Sequence, residues 1–403
     1  MPGILLEVPC GRSGRVRAPV VGLVRFVTAA GSTPAADGWK TVSQQTNPRR
    51  RATIADIALR AGVSKGAVSY ALNGRPGISE ATRQRILEIS EELGWYPNSA
   101  ARALSAARAG ACGLVLARGV HTLAFEPFFM QLMGGIEAEL SSRAVALTIQ
   151  VVDDVDAEMA VYRRWWAEHR VDGVLIVDLR LADPRIEQIE QLGLPAVVIG
   201  GPERTGSLSA VWSDDAGAVV DVVRYLARLG HERIARVAGV PEFLHTEIRT
   251  GAFLATMREL SLSPKVINTD YMAETGAQVT RQLLSDRKPP SAIVYDNDVL
   301  AVAGLGVAHE MGLSVPQDVS LVAWDDSLYT QAVHPPLSAV TRDIIAMGMH
   351  AASALLALIE EGATTRVGEP RGQLIPRGTT ARAPANVAEV PRSRPRQLRR
   401  SAQ

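Results

Sequence analysis

Apolar residues recur at helical spacing through residues 53–93, and beyond residue 110 they gather into short unbroken runs between amphipathic stretches. In "TIADIALRAGVS", Ile54, Ile57, Ala58 and Ala61 share one face, which predicts a helix. Thr53 followed three residues later by Asp56 is a capping-box variant, in which a hydroxyl and a carboxylate serve the free amides of a helix start. Gly62 stands where that helix must turn, because glycine reaches left-handed backbone angles at little cost. Ser64 can cap a second helix running to about Leu72, with Ala67, Val68, Ala71 and Leu72 inward. "NGRPGIS" breaks the pattern, and Ser79 opens a third helix, "EATRQRILEISEELG", with Ile86, Ile89 and Leu93 on one stripe.

The longer part of the chain alternates. "CGLVLA", "VALTIQVV", "DGVLIVD", "PAVVIG", "RIARVAGV", "KVINTD", "SAIVYD" and "VSLVAWD" read as buried strands. Between them lie helical stretches such as "FFMQLMGGIEAELSSR", "AEMAVYRRWWAEHRV" and "VLAVAGLGVAHEMG". Buried strands alternating with helices predict parallel sheets covered on both faces. About ten strands exceed one comfortable doubly wound unit, so two lobes are expected, with a ligand cleft at the carboxyl ends of their strands.

Composition narrows the class without deciding it. The chain has 403 residues, 47% hydrophobic and 21% charged, with a formal net charge of +1, so total charge announces no nucleic-acid partner. Cys10 and Cys112 form no CxxC or Cys/His cluster, which argues against a disulfide scaffold or structural zinc. No apolar run reaches the roughly 18 residues that span a bilayer, and no membrane association is expected. Residues 15–37 have the basic start and apolar middle of a signal peptide, but Arg25 interrupts the run, so residues 1–50 are read as a disordered leader. Residues 384–403 end in "PRSRPRQLRRSAQ" and are read as a disordered basic tail. Without a leucine heptad in that tail, a dimer is expected rather than a tetramer.

Two short helices around an Ala-Gly-Val turn make a helix-turn-helix, whose second helix enters the major groove of DNA. That arrangement explains "VSKGAVSYALN". Val63, Ala67, Val68 and Leu72 hold the helix to its domain, leaving Lys65, Gly66, Ser69 and Tyr70 to face the duplex. The same pattern also suits a three-helix interaction domain that binds no DNA. Residues Thr53 to Leu104, with the frame "DIA..AGVS...VS..LN", closely resemble the DNA-binding headpiece of the lactose/galactose repressor family. The resemblance implies a DNA contact set of Thr53, Ser64, Lys65, Gly66, Ala67, Ser69, Tyr70 and Asn73 on residues 51–96. It also implies a hinge helix over residues 97–109, with Asn98, Ala101 and Arg102 at the DNA and Leu104 opening a minor-groove base step. Arg108 is a further phosphate candidate.

"FEPFFMQLMGGIEAEL", "RVDGVLIV", "YLARLGHERIA", "IRTGAF", "SAIVYDNDVLAVAGL" and "DVSLVAWDDS...HPPLSAVTRD" resemble blocks of the periplasmic-binding-protein-like effector domain of the same family. That places a two-lobed effector and dimerisation domain over residues 110–383. The fold class is thus an all-α helix-turn-helix headpiece joined to an α/β domain with two doubly wound parallel-sheet lobes. The effector residues so implied are Phe128, Phe129, Asp178, Arg249, Tyr271, Asn297, Trp324 and Asp325, with Arg180 beside them. Arg249 supplies a planar fork for hydroxyls or a carboxylate, Asn297 both a donor and an acceptor, and Asp325 acceptors for adjacent hydroxyls. Each has a plainer reading: Arg249 as a surface ion pair, Asp325 or Asp326 as a helix cap, Phe128 and Phe129 as core. Trp165 and Trp166 are read as packing or surface.

The set favours a sugar effector, with a nucleoside as the alternative. A solute-binding transport component would need secretion and has no use for the headpiece. An enzyme finds no support in motifs, since GxSxG, GxxxxGK[ST] and HExxH are all absent. The expectation is a cytoplasmic, nucleoid-associated regulator that pairs as a homodimer on a pseudo-palindromic operator and carries no cofactor or metal.

Overall fold

The computed structural model describes residues 52–95, 108–119 and 126–384. The leader, the hinge residues Asn98, Ala101, Arg102 and Leu104, the segment 120–125 and the basic tail lie outside the described residues. The chain divides into two compact units, one ending at Tyr96 and the other beginning at Pro97.

The smaller unit holds α1 (Ile54–Ala61), α2 (Lys65–Leu72) and α3 (Glu80–Glu92). Thr53 caps α1 with both halves of the capping box closed through Asp56, and Gly62 ends it at φ 65°. Ser64 caps α2 and Ser79 caps α3, each through a hydroxyl that accepts a main-chain N–H. Ile57, Val68 and Ile86 are fully buried at the centre, one from each helix. Arg85 donates to the Ala61 carbonyl at 2.8 Å, and Arg83 to the Ala71 and Arg75 carbonyls at 3.1 and 2.9 Å. Arg85 thereby serves the last carbonyl of α1, and Arg83 ties the end of α2 to the turn that follows it.

The larger unit runs β1 (Ala111–Ala117), α4 (Pro127–Ser142), β2 (Ala146–Val152), α5 (Val155–Ala167), β3 (Gly173–Ile176), α6 (Pro184–Leu192), β4 (Ala196–Ile199) and β5 (Ser209–Ser213). It continues α7 (Asp215–Arg228), β6 (Arg233–Ala238), α8 (Leu244–Glu259), β7 (Ser263–Asn268), α9 (Ala273–Leu284), β8 (Ala292–Tyr295), α10 (Asp298–Glu310), β9 (Ser320–Trp324), α11 (Leu328–Ala332) and β10 (Ser338–Thr341). It closes with α12 (Ile344–Glu361), β11 (Arg366–Glu369) and β12 (Gln373–Ile375).

Two six-stranded sheets result, ordered β11-β5-β4-β3-β1-β2 and β12-β10-β9-β8-β6-β7. The expectation of two parallel-sheet lobes holds, with one departure: β12 pairs antiparallel to β10. The inner strands β3, β4, β8 and β9 are buried throughout, whereas the outermost strands β2 and β7 are partly exposed.

The chain passes between lobes three times, from β5 to α7, from β10 to α12 and from β11 to β12. Strands β5, β10, β11 and β12 escaped the sequence reading, because they are only 3–5 residues long and carry Ser, Arg, Glu or Gln among few apolar positions.

Helix α12 also escaped it. The expectation that no stretch is long and apolar enough to cross a membrane is corrected here, since this 18-residue helix has mean hydropathy 1.5. Its sequence "IIAMGMHAASALLALIEE" is apolar nearly all round, as suits a helix in a protein core. It packs on α4 and against β3, β4 and β5, contributing Met347, Ala351 and Leu355 to the first lobe's core. At the crossing of α4 and α12, a Cβ on Gly135 would lie 2.0 Å from the Ile345 carbonyl oxygen, and one on Gly348 would lie 2.4 Å from that of Leu132. Only glycine permits main chains to approach this closely.

Candidate functional site

A cavity of about 310 Å³ lies between the lobes. Seven of its polar residues sit just past strand ends: Arg118 after β1, Asp178 after β3, Asp214 and Asp215 after β5, Asp296 after β8, Asp325 after β9 and Arg342 after β10. Such placement is general for open parallel sheets, whose ligands bind at the carboxyl ends of strands. Asp178 and Asp325 hold φ of 54° and 66°, and Tyr271 holds 69°; non-glycine residues in this region are uncommon and cluster at binding sites.

Three arginines line the cavity, each paired with a carboxylate. Arg118 grips Asp178 with both arms of its fork, at 2.7 and 3.1 Å. Arg342 grips Asp325 in the same way, at 2.7 and 3.1 Å. Arg249 donates to Asp215 at 2.7 Å and lies 4.2 Å over the Trp324 ring. Asp215 also sits 3.7 Å from Arg342, so one carboxylate serves two guanidiniums. Burial works to raise the Asp215 pKa, but Arg249 and Arg342 outweigh it and hold the group at about 2. Asp178 is likewise held low, with Arg118 outweighing burial.

The lobes touch at the cleft mouth. Leu244 N–H donates to the Leu179 carbonyl at 2.7 Å, and Leu181 N–H to the Glu242 carbonyl at 3.0 Å. Arg118, from the first lobe, lies 4.6 Å from the Phe243 ring and 5.1 Å from the Tyr271 ring of the second. His245 bonds the Tyr271 hydroxyl at 2.9 Å; burial and the nearby Arg249 push its pKa down to about 4, so it is neutral near pH 7.

Of the eight expected effector residues, Phe128, Phe129, Asp178, Arg249, Tyr271 and Asp325 line the cavity, while Asn297 and Trp324 do not. Trp324 lies beneath Arg249 as a buried support. The Asn297 Oδ1 caps α10 by accepting the Leu300 N–H at 2.8 Å, which leaves only its Nδ2 without a partner.

The plainer readings divide. Arg249 is a buried ion pair rather than a surface one. Neither Asp325 nor Asp326 caps a helix: Ser327 caps α11, and Asp326 pairs with Arg377. Phe129 is core as well as cavity wall, and Phe128 meets it edge-on at 5.3 Å. Trp165 is fully buried packing beside β1. The Arg180 guanidinium lies over the Phe243 ring at 5.4 Å.

Arg118, Glu126, His245 and Arg342 were not anticipated. Their one signal is position after a strand end or at a helix start. The strand before Arg342 was too short to be read.

On the headpiece, Lys65, Gly66, Tyr70 and Asn73 are exposed, and Ala67 and Ser69 are half-buried. The Thr53 and Ser64 hydroxyls are engaged in capping, and the Asn73 amide donates to the Ser69 carbonyl at 2.9 Å. Arg108, expected at a phosphate, donates to the Ile359 carbonyl at 3.1 Å through one of its guanidinium nitrogens. Among the described residues no group of three or more His, Cys, Asp or Glu is placed to hold a metal.

A helix-turn-helix unit followed by a two-lobed domain with a polar cleft at its strand ends defines a ligand-controlled DNA-binding regulator. Residues 53–98 match the bacterial regulatory proteins of the lacI family, and residues 223–380 match a periplasmic binding protein-like domain. The chain is 32% identical over 345 residues to the HTH-type transcriptional regulator AglR of Rhizobium meliloti, covering 82% of this chain and 95% of AglR. It is 30% identical over 315 residues to the HTH-type transcriptional regulator CelR of Thermobifida fusca, covering 76% of this chain and 92% of CelR. A solved CelR–cellobiose complex superposes with a TM-score of 0.63 at 27% identity, covering 82% of this chain and 100% of that one. The chain belongs to the LacI family and is a DNA-binding transcriptional regulator.

Proposed function

We propose that this regulator is a repressor that binds a pseudo-palindromic operator as a homodimer, and that a sugar held between the lobes changes its affinity for that operator. The observation that carries the reading is the cleft itself, a polar cavity walled by Phe128, Tyr271 and three arginine–carboxylate pairs. Its acceptors and guanidinium forks suit hydroxyls, and its rings suit a sugar face. The CelR–cellobiose complex supports a sugar over a nucleoside. Pairing of two chains is supported by apolar side chains left exposed on adjacent elements of the first lobe: Met130 on α4, Ile149 and Val151 on β2, Ile345 and Met349 on α12. The cleft is read as binding without turnover, in a cytoplasmic protein.

Mutation of the exposed face of α2 tests the DNA half of this reading. Tyr70→Ala should cost about 1–3 kcal/mol of operator affinity and relax preference at one base step, with little change in salt dependence. Lys65→Ala, if it removes a phosphate contact, should weaken all sequences about equally and reduce the salt slope by about one. Operator titrations at several salt concentrations separate the two. Unchanged affinity in both variants would show that α2 does not read DNA.

A further inference from the structure

Residues 108–110 bring the chain into the first lobe, and three separate elements hold them there. One carboxylate takes two consecutive main-chain donors. Asp172 Oδ1 accepts the Ala109 N–H at 2.6 Å, and its Oδ2 accepts the Gly110 N–H at 2.7 Å. Arg108 donates to the Ile359 carbonyl near the end of α12. The Gly110 carbonyl accepts the Ala146 N–H at 2.9 Å, at the start of β2. Gly110 holds φ 67°, a left-handed turn that glycine takes at little cost.

Strand pairing explains none of the Asp172 bonds, because the register of β1 begins at Ala111. Nor is this a local turn: Asp172 stands just before β3, 63 and 62 residues along the chain from its two partners. Its own N–H donates to the Ala111 carbonyl at 2.7 Å, which fixes the carboxylate against β1. Among the described residues neither carboxylate oxygen pairs with an arginine or lysine, so both are given to the incoming main chain. Bonds from an amide to a charged acceptor are shorter and stronger than neutral ones, as suits a fixed anchor.

We propose that Asp172 is a positioning residue for DNA recognition: it fixes the point at which the connection to each headpiece leaves the lobe, and so sets the half-site spacing that the paired regulator accepts. The inference rests on the homodimer and pseudo-palindrome of the preceding subsection and adds what determines the spacing. Two recognition units on one duplex bind together only when their tethers match the span between sites, and a longer tether accepts more spans. Without the carboxylate, the first firm hold moves from Ala109 to Ala111, where β1 begins. Two residues add at most about 7 Å of reach per chain. The rise per base pair is about 3.4 Å, so the added reach exceeds a one-base-pair change of spacing. The headpiece itself is untouched, and its reading of a single half-site should not change.

Selection of duplexes from a random library by the full-length protein supplies the half-site and its spacing. Synthetic duplexes then carry the two half-sites at that spacing, at one base pair more and at one base pair fewer, beside a duplex with a single half-site. Wild type should bind the shifted duplexes about tenfold or more weaker than the parent. Asp172→Ala should bind the parent duplex about tenfold weaker, and its penalty for a shifted centre should shrink to about threefold or less. Its affinity for the single half-site should stay within about twofold of wild type. Asp172→Asn keeps the size and one acceptor oxygen and should fall between the two. Thermal unfolding establishes that each variant is folded at the binding temperature, and if Asp172→Ala is not, Asp172→Asn carries the test. A spacing penalty that survives unchanged, or an equal loss on the single half-site and the full duplex, overturns the inference while leaving the operator reading intact. Failure of wild type to select any sequence with two half-sites overturns the homodimer reading and, with it, this inference.

Discussion

Replacing Asp215 by Ala should remove about 3–5 kcal/mol of stability, because it strips a buried guanidinium of its partner. Arg249 is 4% exposed, and Asp215 supplies its one short carboxylate contact, at 2.7 Å; the alternative, Asp296, is 3.8 Å away and already bound to Arg236. Arg342 loses its second carboxylate in the same change. The effector response should vanish too, since both arginines line the cavity and Asp215 fixes their positions. The adjacent residue is the control. Asp214 pairs with Arg371 at the surface and caps α7 through the Gly217 N–H at 2.8 Å. Asp214→Ala should therefore cost only the cap, about 1 kcal/mol. Urea unfolding of both variants checks the contrast. The Asp215 increment is also pH-linked. Its folded pKa of about 2 lies below the ordinary 3.8, so its contribution is complete above 3.8 and is lost as pH falls through 2. Asp215→Ala should lack that segment of the acid transition.

The second large effect concerns the helix pair that carries part of the cleft wall. Gly135→Ala places a methyl 2.0 Å from the Ile345 carbonyl oxygen, a main-chain atom that cannot rotate away. Overpacking of this kind costs about 3 kcal/mol, more than the roughly 1 kcal/mol that alanine gains over glycine in a helix. The net expectation is a loss of about 2 kcal/mol or more, with α4 pushed off α12 and Phe128 and Met347 displaced from the cavity. The preceding glycine should do the reverse. A Cβ on Gly134 meets nothing within 4 Å, so Gly134→Ala should stabilise by up to about 1 kcal/mol. Opposite signs at neighbouring positions of one helix, read by thermal or chemical denaturation, identify backbone contact as the cause. Two losses of similar size would point to helix distortion instead.

These sites differ in how far the sequence disclosed them. The headpiece was nearly transparent, because its caps, its glycine turn and its apolar stripe are all local. Thr53 with Asp56, Gly62, Ser64 and Ser79 act within a few residues of themselves. The cleft was half legible. Phe128, Asp178, Arg249 and Asp325 follow recognisable runs. Arg118 and Arg342 did not stand out, since an arginine after a strand gains meaning only when the partner carboxylate is known. Those partners lie 60 residues away for Arg118 and 17 for Arg342. Asn297 has a role that the sequence did not show. Its dual chemistry suggested a ligand contact, but the chain first uses its carbonyl to start a helix. Helix α12 was hidden by being apolar on nearly every side, which erases the period that marks a surface helix. Its glycine contact with α4 has no local signature at all.

The central claim is that a ligand between the lobes changes how tightly the headpiece holds a particular DNA sequence. The most direct measurement is selection of duplexes from a random library by the full-length protein at near-physiological salt, followed by titration of the recovered duplex with and without a pool of neutral sugars. The expected result is a pseudo-palindrome whose affinity changes about 5- to 150-fold with the pool, and which Asp325→Ala binds without responding. Weak, strongly salt-dependent binding with no sequence preference, the same with and without the pool, would contradict it.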